Sequence, residues 1–242
     1  MEKLKNQLRF LLMPGADLMT RRRVRLSKKW MKGKRRFLDA GSGNGWFSYL
    51  AYRSGASVIA VNMEKDQVAK AVTFYNGFKN APEEALKFIN GNLYDLERLV
   101  GAGFDEIICF ETLEHIKNDA AVCAAFYRLL KPGGVLHLCC PNAEHPRWKA
   151  EPLDFEEKGY HVRAGYTTTS YKELLEPIGF KIAEMEGVGG PVLTAADHFF
   201  EKLRPILGDA LCLPFVYAAI PLVEFDSRKV EGALSIYVKA QK

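Results

Sequence analysis

Along this chain, short apolar runs alternate with segments whose apolar residues recur every three or four positions. The first such segment carries Leu4, Leu8, Leu11 and Leu12 at helical spacing, and Pro14-Gly15 stops it. A second, basic helix is predicted from about Asp17 to Met31. Strand and helix signals then alternate: "RRFLDAG" reads as a buried strand, "GWFSYLAYRSG" as a helix closed by Gly55, and "SVIAVNM" as a second strand. A helix follows from about Lys65 to Phe78, then strands in "ALKFINGN" and "FDEIICFE". Asn118 is placed to cap the next helix, Val122, Ala125, Phe126 and Leu129 share one of its faces, and "KPGG" stops it before a fifth strand, "VLHLCCPN". Strands alternating with helices of this length predict βαβ units, a largely parallel sheet and right-handed crossovers. Such sheets bind ligands outside the carboxyl ends of their strands, which draws attention to the loops after Ala40, Val61, Asn90, Phe110 and Cys140.

Past Pro141 the alternation loosens. Ala143 to Thr169 reads as a long connection, "SYKELLEPIG" as a short helix, "FKIAEMEG" as a sixth strand and "ALSIYVKAQK" as a seventh, with Pro191 to Ser227 inserted between the last two. Neither an internal repeat nor a low-complexity linker interrupts the 242 residues, so one domain is expected. Its parts are an N-terminal helical segment (1–35), a core (36–142), a cap (143–169) and an apolar insert (191–227).

Composition narrows the class. Hydrophobic residues at 48% and charged residues at 26% fit a soluble globular protein, and no run reaches the ~18 apolar residues of a membrane span. "MEKLKNQLRFLLMPG" mixes charge into its apolar positions and does not read as a secretory signal. Five cysteines without a CxxC spacing suggest neither a disulfide framework nor a structural zinc site, so a cytoplasmic location is expected. The net charge of +5 is unevenly spread: Arg21 to Arg36 holds no acidic residue. A solvated helix face explains such a run most simply, while an RNA backbone or an anionic membrane surface would also suit it. Leu211 to Val223, "LCLPFVYAAIPLV", is too short to span a bilayer and reads first as core; with the basic run it admits peripheral contact with a membrane surface.

The sharpest chemical signal is "FLDAGSGNGW", which places Asp39, Gly41, Gly43 and Gly45 at a strand-to-helix turn. A dinucleotide fold wants a small residue where Trp46 stands, and no Gly-Lys-Ser/Thr follows to make a phosphate loop. An acid two residues before the first glycine suits a ligand bearing an ammonium and a sulfonium. With "VIAVNME", "GNLYDL", "FDEIICFETLEHI" and "LLKPGGVLHLCCPN" in order, residues 36 to 142 resemble class I S-adenosylmethionine-dependent methyltransferases, and within them the small-molecule branch related to ubiquinone-biosynthesis O-methyltransferases. The resemblance implies a three-layer Rossmann-like α/β fold, with a mostly parallel seven-stranded sheet in the order 3-2-1-4-5-7-6. Helices would cover both faces, and the last strands would form an antiparallel hairpin.

Carried over by position, the resemblance puts Asp39, Gly41 and Gly43 beside the methionine moiety and Met63 on the adenine face. Asn62 stands where relatives use an acid for the ribose hydroxyls, and Glu64 is the alternative if the turn is shifted. Asn92 stands where an Asp often reads the adenine amino group, completed by the Leu93 amide, and Glu111 lies beside the cofactor. The implied reaction is methyl transfer from S-adenosylmethionine to an oxygen, with nitrogen the second choice, of a small or lipid-linked acceptor. Its rivals are an RNA methyltransferase using the basic segment and a cofactor-binding module without catalysis. His115, on the rim after the fourth strand, is the candidate general base, because imidazole is the side chain suited to proton exchange near neutrality. Glu111, Glu114 and His115 also read as E-x-x-E-H, which in relatives can hold Mg²⁺; a metal is the open alternative and not the preferred one. Cys139 and Cys140 read as packing residues rather than nucleophiles. Tyr160, His161, Arg163 and Tyr166 combine aromatic surface with donors and are the candidate acceptor contacts.

Overall fold

The computed structural model describes residues 17–242 apart from 151, 155 and 158; the predicted helix through Leu4–Leu12 lies outside the described residues. Two compact units result: Met31–Met185 with Ile236–Lys242, and the described part of Met1–Trp30 with Glu186–Ser235.

The strands are β1 (Arg36–Ala40), β2 (Ser57–Asn62), β3 (Leu86–Asn90), β4 (Phe104–Phe110), β5 (Leu130–Pro141), β6 (Lys181–Val188) and β7 (Ser235–Gln241). They form one sheet in the order β3-β2-β1-β4-β5-β7-β6. Parallel registers join β1 to β2 and β4, β2 to β3, and β4 to β5. β7 runs the other way: Gly133 and Gly134 exchange backbone bonds with Lys242, while His137, further along β5, meets Tyr237, earlier in β7. Alternation is weak in these strands because both faces are covered; Leu38, Ala60, Val61, Ile107, Ile108, Leu136 and Leu138 are completely buried.

Helices α1 (Leu18–Ser27), α2 (Trp46–Arg53), α3 (Lys65–Ala71), α4 (Leu96–Val100), α5 (Asp119–Leu129), α6 (Pro146–Lys149), α7 (Thr168–Leu175), α8 (Pro191–Ala219) and α9 (Leu222–Phe225) complete the described elements. Asn118 caps α5 as its sequence predicts, its side chain accepting from Ala121 N–H. Two boundaries depart from expectation. The helix through Lys65–Phe78 changes to π geometry over Val72–Phe78. That places Phe74 and Tyr75 in the core, with Tyr75 stacked on Tyr49 and Phe88. "KPGG" ends α5 but already belongs to β5, through a bulge between Phe104 and Glu106 and the bonds from Gly133 and Gly134 to Lys242.

In the smaller unit, α1 starts at Asp17, whose carboxylate accepts from Thr20 N–H. The basic run is not wholly a solvated face: Arg22 is buried and bonded to Glu186 at 3.1 Å. α8 is broken at Gly208 (φ 78°, ψ 160°), and Asp226 caps its start by accepting from Gly190 and Leu193 N–H.

Candidate active site

The carboxyl ends of β1, β2 and β4 surround a cavity of about 390 Å³, within the size range of small-molecule sites. Its floor is the glycine loop. Gly41 (φ 83°) packs so closely on Thr112 that a Cβ would lie 2.3 Å from its Oγ1, so only glycine fits there. Asp39 sits beneath this loop rather than in the cavity wall, 3% exposed and accepting a 2.5 Å bond from Ser48 of α2. Burial pushes its carboxyl up to about 7, only partly offset by the Ser48 hydroxyl and amide.

The second wall follows β2. Asn62 donates through Nδ2 to Gly43 O at 3.0 Å and accepts at Oδ1 from Glu64 N–H, so its amide braces the glycine loop. An aspartate could not make the first of these bonds, which accounts for the amide at this position. Met63 is exposed, and Glu64 and Gln67 face the cavity beside it. After β3, Asn92 accepts from Tyr94 N–H and starts a single turn, Leu93–Asp95, that lines the third side.

The fourth side is built by Glu111–Ile116. Glu111 leaves β4 with φ 48°, a left-handed conformation uncommon for a residue other than glycine. The turn Leu113–His115 follows. His115 Nδ1 lies 3.0 Å from Tyr160 O, which can only accept, so Nδ1 is the donor in this contact, and Nε2 lies 3.9 Å from Glu114 Oε1. Ligand atoms of Glu114, His115 and His161 all lie within 4.8 Å of one another, with Glu114 buried. The structure thus joins His161 to the E-x-x-E-H pair, in place of Glu111.

The segment predicted as the acceptor cap returns to its origin: Asn142 bridges Tyr166, and Val162 N–H bonds to Glu114 O. Its residues divide differently from expectation. Arg163 bonds to Leu113 O, Lys117 O and Asp119, and the buried Tyr166 also bonds to Asp119, so both clasp the loop after β4 instead of lining the cavity. Burial commits Tyr166 because its ring stacks on Tyr171 in the core. Tyr160 is exposed and contributes its carbonyl, while His161 lies edge-on to His115 at 4.8 Å. The wall residues are instead Glu156, Glu157 and Gly159, which sequence reading passed over. An acidic pair before a glycine is a common surface pattern, so only the fold could have found them. Glu157 accepts from Tyr94 O–H at 2.9 Å and from Lys117 N–H.

Glu64, Glu111, Glu156 and Glu157 line the cavity, and among the described residues neither Lys nor Arg stands in its wall. That donor set repels anions and suits a ligand carrying fixed positive charge. Cys140 is buried, and burial drives its thiol well above the ordinary range, so it is no nucleophile.

A nucleotide-type cleft of an open α/β sheet, closed by an acidic cap, defines the class. The chain belongs to the methyltransferase-domain family, whose pattern matches residues 13–185. It is 34% identical over 142 residues to a ubiquinone biosynthesis O-methyltransferase of Xanthomonas oryzae, covering 59% of this chain and 57% of that protein. The chain thus matches little more than half the length of that curated relative. Among solved structures it resembles a SAM-dependent methyltransferase from Archaeoglobus fulgidus (TM-score 0.59, 17% identity, covering 92% of each chain). It also resembles the cyclase SpnF (TM-score 0.62, 18% identity, 92% of this chain and 81% of that one). At such identities these likenesses establish the Rossmann-like fold, and the two differently named proteins show that the fold alone does not fix the chemistry.

Proposed function

We propose that this chain transfers a methyl group from S-adenosylmethionine to an oxygen of a small acceptor. The single observation that carries the proposal is His115, which lines the cavity with Nδ1 bonded to Tyr160 O and Nε2 beside the buried Glu114 carboxylate, the arrangement of a base. The wall fits the cofactor: Gly41 and Gly43 admit a close approach, Met63 offers an apolar face to adenine, and the carboxylates favour the ammonium and sulfonium. Because Asn62 is committed to the loop, Glu64 takes the ribose hydroxyls. Asn92 has spent its carbonyl on Tyr94 N–H, so its NH₂ donates to a ring nitrogen of adenine. When bound, the cofactor supplies an electrophilic methyl; the protein aligns the acceptor, excludes water and removes the acceptor's proton at His115 Nε2.

Oxygen is favoured over nitrogen because an amine needs only to be neutral, whereas a phenol or alcohol uses a base, and the named relative is an O-methyltransferase. We place the acceptor among uncharged or lipid-linked hydroxyl compounds, since a carboxylate or phosphate would face the acidic wall. The RNA reading is weakened by the same wall and by the pairing of Arg22 with Glu186. The test is S-adenosylhomocysteine production across phenols, catechols and quinols. His115→Ala is expected to cut turnover by ~10²-fold or more while cofactor affinity changes little. An unchanged rate removes His115 as the base, and cofactor binding with no product from any acceptor would point to a non-catalytic module.

One observation favours a second reading. Glu114, His115 and His161 offer one carboxylate and two imidazoles in reach of a common point, a set suited to Mn²⁺, Fe²⁺ or Zn²⁺ more than to Mg²⁺. The two readings compete for one lone pair, since Nε2 bound to a metal cannot accept a proton. On the metal reading, dialysis against a chelator removes stoichiometric metal and activity together, and His161→Ala lowers metal content. Full activity in chelator leaves the base reading.

A further inference from the structure

Far along the chain from the cleft, α8 presents a series of exposed apolar side chains. Before the break at Gly208, Val192, Phe199 and Ile206 recur every seven residues, and all three are exposed, Ile206 at 77%. After it, Leu211, Phe215 and Tyr217, followed by Leu222 and Phe225 of α9, continue the exposed series, with Phe225 at 78%. The neighbouring stripe is buried through Leu193, Phe200, Cys212, Val216 and Val223, so the exposed set borders the core of this unit. From Ala210 to Val223 there is no charged side chain. An apolar face of this extent marks an interaction surface rather than ordinary scatter.

Its flank indicates the partner. The Arg21 guanidinium of α1 lies 5.4 Å from the centre of the Tyr217 ring, and Arg25 of the same helix pairs with Glu224 of α9. Exposed Lys28 follows at the carboxyl end of α1, with Lys29 beside it, 3.6 Å from Glu186 yet still 42% exposed. Aromatic and aliphatic side chains bordered by cations have the polarity profile of a helix lying in the interface of an anionic bilayer. A second copy of the chain would bring charge of the same sign to this border, whereas an anionic surface brings the opposite sign. Among the described residues no helix is long and apolar enough to cross a membrane, so the mode is lying on the surface.

We propose that α8 and α9 dock on an anionic lipid surface. Phe199, Ile206, Leu211, Phe215 and Phe225 enter the boundary between headgroups and acyl chains, and Arg21, Lys28 and Lys29 meet the headgroups. This inference stands apart from the methyl-transfer reading, because none of these residues lines the cavity.

The experiment is sedimentation of the full chain with phosphatidylcholine vesicles, with and without about 30% phosphatidylglycerol, at low and high salt. Pelleting with anionic vesicles at low salt is expected, falling about fivefold or more in high salt or on pure phosphatidylcholine. Phe199→Ser combined with Phe215→Ser is expected to lower binding by about tenfold or more. Binding of S-adenosylhomocysteine by the same double variant is expected to be unchanged, which shows that it has folded and reports separately on the cleft. Phe215→Trp, a substitution at an exposed site, is expected to shift its emission to the blue on anionic vesicles, and it decides the matter if the double variant does not fold. Absence of pelleting, equal pelleting of the double variant or an unshifted Trp emission overturns the proposal. So does a concentration-dependent dimer that the double variant dissolves in the absence of lipid binding.

Discussion

Gly41 and Thr112 meet across the floor of the cleft with no room for a methyl group between them. Gly41→Ala therefore has to displace Thr112 or the loop itself, and the left-handed φ adds strain. The expected outcome is a loss of cofactor affinity of about tenfold or more with the fold retained, read by calorimetry with S-adenosylhomocysteine. At this scale the glycines were readable from the sequence, because a sharp turn after a strand constrains residue type whatever the neighbours. Asn62 was not: its brace on Gly43 spans 19 residues of chain, and no local pattern encodes such a bond. The clasp that Arg163 and Tyr166 make is equally invisible in the sequence. Donors and aromatics look alike in sequence whether they serve a ligand or a clasp, and Asp119, which decides the case, lies more than 40 residues away.

At the scale of elements, Glu157 ties the cap to both sides of the cleft. Glu157 takes the Tyr94 hydroxyl and the Lys117 amide, so one carboxylate ties the cap to the turn after β3 and to the loop after β4. Glu157→Ala removes the one oxygen that accepts both bonds, at about 1 kcal/mol for each. The expected result is a cofactor dissociation rate faster by roughly tenfold, seen in stopped-flow displacement, with the melting temperature lower by about 4 °C or more. Strand order and helix placement were readable because periodicity and turn residues act locally. The π stretch at Val72–Phe78 and the early start of β5 were not, since each answers to packing from distant strands.

For the molecule as a whole, the buried carboxyls set the pH dependence of folding. Burial raises Asp39 to about 7 and, with the Arg35 guanidinium only partly offsetting it, Glu106 also to about 7. A raised carboxyl keeps its proton in the folded state after the unfolded chain has lost it. Stability therefore falls as pH rises from about 4 to about 7 and is level above that. Asp39→Asn keeps a polar partner for Ser48 and removes the larger buried charge. It is expected to flatten the decline by up to roughly 4 kcal/mol, the equivalent of about three pKa units. Denaturant midpoints across the pH range measure this; an unchanged slope would show that Asp39 is ionised in the fold.

The bridge between Asn142 and Tyr166 gathers both ends of the cap to one point at the end of β5. Whatever lies between those ends is a closed excursion, and lengthening such an excursion costs only the slow logarithm of loop closure. Its interior can therefore be rewritten, extended or exchanged while the sheet keeps its register. That freedom ends at Glu157, Tyr160 and His161, whose contacts moor the excursion to the cleft, so drift is confined to the positions between those moorings.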